Sequence, residues 1–164
     1  MPNIIVMAPK DENELQHMIY TAVQTGHPTA VRYPRGNGIG VKMDEQFRML
    51  EIGKAEILQD GADCVILALG TLVHPSLKAA EKLFANGISA SVVNARFVKP
   101  LDEELITCLA SEKSFLITVE EAALMGGFGS AVMELLESRS LQGCKLLRIG
   151  VPDRLIPHGS PSLL

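Results

Sequence analysis

Short apolar runs alternate with amphipathic stretches along most of this chain. Residues 4–7 and 29–33 are apolar enough to predict buried strands. Between them, Asp11 stands three residues before Glu14, a spacing that predicts the start of a helix. The same stretch carries apolar residues at helical spacing: Leu15, Met18, Ile19, Ala22 and Val23. This alternation is typical of an α/β fold in which helices cover a mostly parallel sheet.

The alternation restarts after residue 50 and continues almost to the end of the chain. Strands are predicted at residues 52–58, 64–69, 88–93, 114–119 and 145–149. Helices are predicted between them, and they begin near Pro75, Asp102 and Gly129. Asp102 is an expected N-cap, and Glu103 and Glu104 in the next turn favour the positive end of the helix dipole. Together these elements predict a three-layer α/β/α sandwich with a mostly parallel sheet.

The polar segment at residues 42–48 separates the two series of elements. We predict a domain boundary there, with residues 1–45 as the end of one α/β domain plus a linker, and residues 46–164 as a complete second domain. The first fifty residues supply about two strands and one helix, which is less than an independent sheet needs. We therefore expect this segment to be mobile or to borrow strand pairing from a neighbour.

Composition and charge exclude several classes of protein. The chain has 164 residues, of which 47% are hydrophobic, and a formal net charge of -4. Its Lys and Arg residues are scattered and form no basic stripe, so nucleic acid is not an expected partner. No apolar run approaches the roughly 20 residues that span a bilayer, and the start of the chain lacks the basic region of a signal peptide. We therefore expect no membrane partner and predict a cytoplasmic protein.

The cysteines and histidines give no sign of a disulfide framework or a metal site. The chain has three cysteines, far apart and outside any CxxC arrangement: Cys64, Cys108 and Cys144. It has four histidines without metal-ligand spacing: His17, His27, His74 and His158. The cysteine pattern favours a reducing compartment and buried, inert thiols. No metal site is predicted within the chain.

Two stretches could carry chemistry, but each has a simpler interpretation. The glycine-rich residues 126–130 precede a predicted helix and could present backbone N–H groups to a phosphate. They do not complete a GxGxxG fingerprint, because Val132 occupies the last glycine position, so a tight packing turn is favoured. Glu120 and Glu121 close a predicted strand, where an acid or base role is conceivable. A solvated or interfacial pair is the favoured interpretation.

The segment Arg32-Tyr33-Pro34-Arg35-Gly36 is the strongest candidate site. A predicted strand leads there into a glycine-rich loop at the carboxyl edge of a sheet expected to be parallel, where α/β proteins bind ligands. A guanidinium in such a loop can form a bidentate pair with a phosphate, whereas a surface arginine needs neither the preceding proline nor the following glycine. The spacing alone leaves both interpretations equally open.

Five stretches of sequence, in order along nearly the whole chain, carry a resemblance to one enzyme family. They comprise residues 7–15, 31–36, 96–102, 119–130 and 151–159. In these stretches the chain resembles the C-terminal part of the 1-deoxy-D-xylulose-5-phosphate synthase family. Transketolase-like enzymes and the β subunits of 2-oxoacid dehydrogenases share parts of the Glu-Glu and Gly-Gly pattern. Tyr-Pro-Arg-Gly followed by Arg-Phe-Val-Lys-Pro-Leu-Asp points to the synthase.

The resemblance implies a transketolase C-terminal domain at residues 46–164 and a remnant of the pyrimidine-binding domain at residues 1–45. It implies a full-length homodimeric transferase that depends on thiamine diphosphate and Mg²⁺. This enzyme would condense pyruvate with D-glyceraldehyde 3-phosphate, with loss of CO₂, for isoprenoid, thiamine and pyridoxal synthesis. The resemblance assigns binding of the acceptor phosphate to Arg35. Arg32 is expected to support the strand or an interface, and Tyr33 is expected to pack.

The family's catalytic residues, cofactor site and metal ligands correspond to positions upstream of Met1. We therefore expect this chain alone to bind no cofactor and to be inactive. Two alternatives stay open. The chain could be half of a split transketolase-like or 2-oxoacid dehydrogenase E1 β-type enzyme, active only with a partner chain, or it could be a stand-alone dimerisation module.

Overall fold

The computed structural model describes residues 2–156 and residue 159, and within them the chain forms eight strands and four α-helices. The strands are β1 (Ile5–Met7), β2 (Thr29–Val31), β3 (Glu56–Gln59), β4 (Cys64–Ala68), β5 (Ala90–Asn94), β6 (Phe97–Lys99), β7 (Phe115–Ala123) and β8 (Lys145–Val151). The helices are α1 (Glu12–Gln24), α2 (Val73–Ala85), α3 (Glu103–Glu112) and α4 (Phe128–Ser138). Pro157 and His158, part of the last stretch of resemblance, lie outside the described residues.

The larger sheet confirms the predicted three-layer α/β/α architecture. Its strand order is β3-β5-β4-β7-β8, and only β3 runs antiparallel to its neighbour. Val65 and Leu67 of β4 pack with residues of α3 and α4 on one face. The alternate residues Cys64 and Ile66 pack with α2 on the other face, because successive side chains of a strand point to opposite sides. The described helices therefore cover both faces of a mostly parallel sheet.

The smaller sheet joins the two halves of the chain. β1 pairs in parallel with β2 and antiparallel with β6. Sequence reasoning missed β6, and it placed no pairing between the first residues and this later stretch. Ile5 and Met7 share a core cluster with Met18, Leu50 and Phe97. The first segment thus obtains its third strand from a later part of the same chain, whereas the sequence led us to expect mobility or strand pairing with a neighbour.

The predicted linker packs along α1. Asp44 Oδ2 lies 2.8 Å from His17 Nε2, and this hydrogen bond, with a second from Asn13, holds the pKa of Asp44 below its ordinary value. Further along, the rings of Tyr20 and Phe47 stack with centroids 5.8 Å apart. The linker is thereby attached to the first segment, and the domain boundary after residue 45 stays a prediction.

The predicted N-caps of two helices are present. Asp11 accepts a hydrogen bond from the Glu14 N–H at 2.8 Å, and Asp102 accepts one from the Leu105 N–H at 3.1 Å. The second carboxylate oxygen of Asp102 also accepts from the Ala55 N–H at 3.0 Å. This side chain therefore caps α3 and also holds the approach to β3.

The three cysteines are free, but they are not all buried as predicted. Cys108 is exposed on the outer side of α3, beside Glu112. The negative charge of Glu112 raises the pKa of the Cys108 thiol, and burial raises the pKa of Cys64 and of Cys144. All three thiols are therefore unactivated as nucleophiles at neutral pH. In the described part of the chain, no helix is long and apolar enough to cross a membrane.

Candidate functional site

The candidate site is a cleft at the carboxyl edge of the smaller sheet. The chain segments that follow the parallel strands β1 and β2 both emerge at this edge. The second of them is the glycine-rich loop, residues 34–40, which folds against the first turn of α1 and leaves a cleft of about 110 Å³. The cleft is lined by Pro9, Lys10, Asp11, Glu12, Leu15, Tyr33, Pro34, Gly36, Asn37, Gly38, Ile39 and Thr71.

Arg35 lies on this loop, where the sequence predicted it. Its neighbours Pro34 and Gly36 both line the cleft, and Arg35 itself is exposed. No hydrogen bond or ion pair joins the Arg35 guanidinium to any other residue that the structure describes. A guanidinium has five N–H donors and no acceptor, so all of its donors are available to an anion.

The glycine-rich loop is held at its end by Glu12, a residue that sequence reasoning did not single out. The Glu12 carboxylate accepts hydrogen bonds from three successive backbone N–H groups, those of Ile39, Gly40 and Val41, at 3.1, 2.6 and 3.0 Å. Its own backbone N–H, and then these three, hold the pKa of Glu12 below its ordinary value. We call this arrangement the Glu12 clasp.

The start of the same loop is tied to the larger sheet. The Arg32 guanidinium donates to Glu121 Oε2 at 3.0 Å, and the Thr71 hydroxyl donates to the other oxygen of Glu121. Arg32 therefore links the loop to β7 and does not point a free charge at the cleft. Glu121 is thus the shared acceptor of Arg32 and Thr71.

A partly buried network of charges connects α1 to both strands β3 and β5. Glu14 is only 3% exposed, and its carboxylate accepts from Arg96 Nε, from the Asn94 side-chain amide and from the Lys10 backbone N–H, each at 2.8 Å. Glu56 accepts from Lys10 Nζ and from the same guanidinium, also at 2.8 Å. Two acids and two bases thus neutralise one another next to the cleft. The local sequence did not indicate the pairing of Glu14 with Arg96, because these two residues lie 82 positions apart.

The glycine-rich turn before α4 is occupied by the protein itself. Glu120 is 2% exposed, and its carboxylate accepts from the Phe128 and Gly129 N–H groups at 2.7 and 2.8 Å. A Cβ at Gly127 would collide with the Glu120 carboxylate and with the Ala123 carbonyl. The favoured interpretation as a packing turn agrees with this geometry, since an internal carboxylate already fills the anion position at the helix N-terminus.

The described histidines do not converge on a metal. His17 contacts Asp44, and His74 Nε2 lies 3.3 Å from Asp11 Oδ2. Within residues 2–156 and residue 159, no group of three or more His, Cys, Asp or Glu side chains is arranged to hold a metal ion. These residues therefore do not fit the Mg²⁺ site that the resemblance implies for the whole enzyme.

Comparison with known proteins places most of this chain in one family. The model of the transketolase C-terminal domain matches residues 53–164. The 1-deoxy-D-xylulose-5-phosphate synthase of Halothermothrix orenii is 55% identical over 97% of this chain, and that of Heliobacterium modesticaldum is 53% identical over 100% of it. The aligned part is 25% of each of these proteins, so the chain spans about a quarter of the length of the curated relatives it matches.

Solved structures show the same architecture. A chain described as a split gene transketolase, inactive beta4 tetramer, superposes with a TM-score of 0.80 at 30% identity, over 93% of this chain and 50% of that one. A transketolase mutant from Pichia stipitis superposes with a TM-score of 0.60 at 20% identity, over 87% of this chain and 24% of that one, and shows the fold alone. The chain therefore belongs to the transketolase C-terminal domain family, and nearly its whole length is similar to the synthases named above.

Proposed function

We propose that this chain is the C-terminal part of a 1-deoxy-D-xylulose-5-phosphate synthase, a transferase dependent on thiamine diphosphate and Mg²⁺. The whole enzyme condenses pyruvate with D-glyceraldehyde 3-phosphate, with loss of CO₂, in the synthesis of isoprenoid precursors, thiamine and pyridoxal. The identity of 50% or more to synthases over nearly the whole chain supports this proposal. The observation that carries it is the exposed Arg35 beside the cleft, whose guanidinium has no partner among the residues that the structure describes.

Arg35 binds the phosphate of the acceptor substrate in this proposal. A planar guanidinium matches two phosphate oxygens, and it keeps its charge at every physiological pH. The neighbouring positive charges are already used, because Arg32 pairs with Glu121, and Lys10 and Arg96 pair with Glu14 and Glu56. Arg35 is thus the cation of this loop that can bind a substrate.

The chemistry at the reacting carbons lies outside this chain. When bound, thiamine diphosphate supplies the electron sink for the loss of CO₂. The described residues offer no metal-binding cluster, so the remainder of the enzyme would hold the cofactor and Mg²⁺. We propose that this chain alone binds no cofactor and is inactive. Within the whole enzyme, its role is to position the acceptor substrate.

The variant Arg35→Ala tests this role in the full-length enzyme. We expect it to weaken acceptor binding by about 1.5 to 3 kcal/mol, the scale of a hydrogen bond to a charged group. This corresponds to a rise of roughly 10- to 150-fold in the KM for D-glyceraldehyde 3-phosphate. Steady-state kinetics with Arg35→Lys as control would separate the effect of the charge from that of the bidentate guanidinium geometry. The lysine variant should raise the KM for the phosphorylated acceptor less than the alanine variant does. An unchanged KM for the phosphorylated acceptor would remove Arg35 from the site.

A second candidate function is one half of a split transketolase-like or E1 β-type enzyme. The likeness to the split gene transketolase favours this candidate, because that chain is similar over 93% of the present one. Adding a separate chain that carries the missing domains decides between it and a stand-alone dimerisation module, since activity would appear only for the split enzyme. We also propose that the full-length protein is a cytoplasmic homodimer. Sedimentation of the full-length protein would test the dimer.

A further inference from the structure

The Glu12 clasp holds the loop that carries Arg35. Its three N–H donors, Ile39, Gly40 and Val41, follow Arg35 by four to six residues. We propose that Glu12 is a positioning residue, which orders this loop so that the Arg35 guanidinium is ready for the acceptor phosphate. This inference rests on the proposed function of Arg35 and adds a residue that does not itself touch the substrate.

The loop is built around the Glu12 carboxylate. A Cβ at Gly38 would lie 2.6 to 2.8 Å from the carboxyl atoms of Glu12, so only glycine fits there with the carboxylate in place. Gly40 has a φ of +86°, a conformation that side chains other than glycine rarely adopt. Both glycines therefore serve the approach of three successive N–H groups to one carboxylate.

The clasp also removes an electrostatic conflict. A free carboxylate at the rim of the cleft would repel a phosphate, but the N–H dipoles of residues 39–41 surround the Glu12 charge and offset part of it. At its other end the loop is fixed by the contact of Arg32 with Glu121. The segment between these two anchors carries Arg35, whose guanidinium has no hydrogen bond or ion pair with any other residue that the structure describes. Because the loop is already ordered, binding does not have to offset the entropic cost of ordering it.

The test compares two acceptors in the full-length enzyme. We expect Glu12→Ala to raise the KM for D-glyceraldehyde 3-phosphate roughly tenfold, the scale set by ordering a loop upon binding. The KM for pyruvate and the kinetics with unphosphorylated D-glyceraldehyde should stay unchanged, because neither involves the phosphate contact. Glu45→Ala is the matched control, since Glu45 is an exposed glutamate close to the same loop.

The double variant distinguishes positioning from general damage. If Glu12 acts through Arg35, the variant Glu12→Ala/Arg35→Ala should have the same KM for the phosphorylated acceptor as Arg35→Ala alone. Equal losses with both acceptors would overturn the inference, because a merely structural role would not depend on the phosphate. Where Glu12→Ala does not fold, Gly38→Ala disturbs the same clasp and is expected to give the same split between acceptors.

The two proposals fail in different ways. If Arg35→Ala raises the KM for the phosphorylated acceptor and Glu12→Ala does not, the positioning role of Glu12 is wrong and the proposed function stands. If Arg35→Ala itself leaves that KM unchanged, the proposed role of Arg35 is wrong, and the role of Glu12 falls with it.

Discussion

Replacement of Glu120 by alanine is expected to lower the free energy of unfolding of this chain by about 3 to 5 kcal/mol. The substitution leaves the buried N–H groups of Phe128 and Gly129 without an acceptor, and each such orphaned donor costs about 1 to 3 kcal/mol. It also removes the negative charge that complements the N-terminus of α4. Urea denaturation followed by circular dichroism would measure the loss, which is a large part of the typical stability of a domain.

Two control variants make this prediction specific. Glu120→Gln keeps the shape and one acceptor oxygen, so we expect an intermediate loss. The adjacent Glu121 is 29% exposed and pairs with Arg32, which is itself 41% exposed. Solvent screens such a pair, so Glu121→Ala should cost about 1 kcal/mol or less. Equal effects of alanine at positions 120 and 121 would contradict the structural role assigned to the Glu120 carboxylate.

The second large effect is expected from Glu14→Ala, at about 3 to 5 kcal/mol of unfolding free energy. Glu14 is the acceptor shared by Arg96, Asn94 and Lys10. Without it, two largely buried cations share the single carboxylate of Glu56, and breaking one side of a buried ion pair costs more than the intact pair contributes. Thermal or urea unfolding of the variant would measure this loss.

A matched glutamate on the surface serves as control for the charge network. Glu81 is exposed on α2, so Glu81→Ala should change the unfolding free energy by no more than about 0.5 kcal/mol. The loss of unfolding free energy for Glu14→Gln should lie between the losses for Glu14→Ala and Glu81→Ala, because glutamine keeps the shape of the side chain and loses its charge. A loss below about 1 kcal/mol for Glu14→Ala would mean that the network contributes little to the docking of α1.

The parts of the fold that local sequence determines were predictable. Asp11 and Asp102 cap their helices because an N-cap depends on residues within one turn. The alternation of apolar runs similarly located the strands of the larger sheet. β6 was missed because it has only three residues, and its pairing partner β1 lies about ninety positions away in the chain. Its place depends on tertiary contact and not on a local pattern.

The candidate site likewise has one part that the local sequence predicted and another part that depends on contacts between distant residues. Arg35 was predictable, because the strand, proline and glycines that present it are adjacent in sequence. Its supports were not, because the contacts of Glu12 with residues 39–41 and of Arg32 with Glu121 span 27 to 89 positions. One signal was available for Glu120: Leu116, Thr118 and Glu120 alternate along β7, and all three are buried. The interpretation of Glu120 and Glu121 as a solvated or interfacial pair was therefore wrong for Glu120, and strand periodicity could have separated this buried glutamate from its partly exposed neighbour.

The central claim is that this chain belongs to a thiamine-dependent synthase and supplies its phosphate-binding arginine. The most direct measurement is the release of CO₂ from pyruvate by the protein isolated from its native source, with its intact mass determined alongside. The account predicts a polypeptide about as long as the synthases it matches, with activity that requires both thiamine diphosphate and D-glyceraldehyde 3-phosphate. A polypeptide of 164 residues that stays inactive with any chain carrying the missing domains would contradict it.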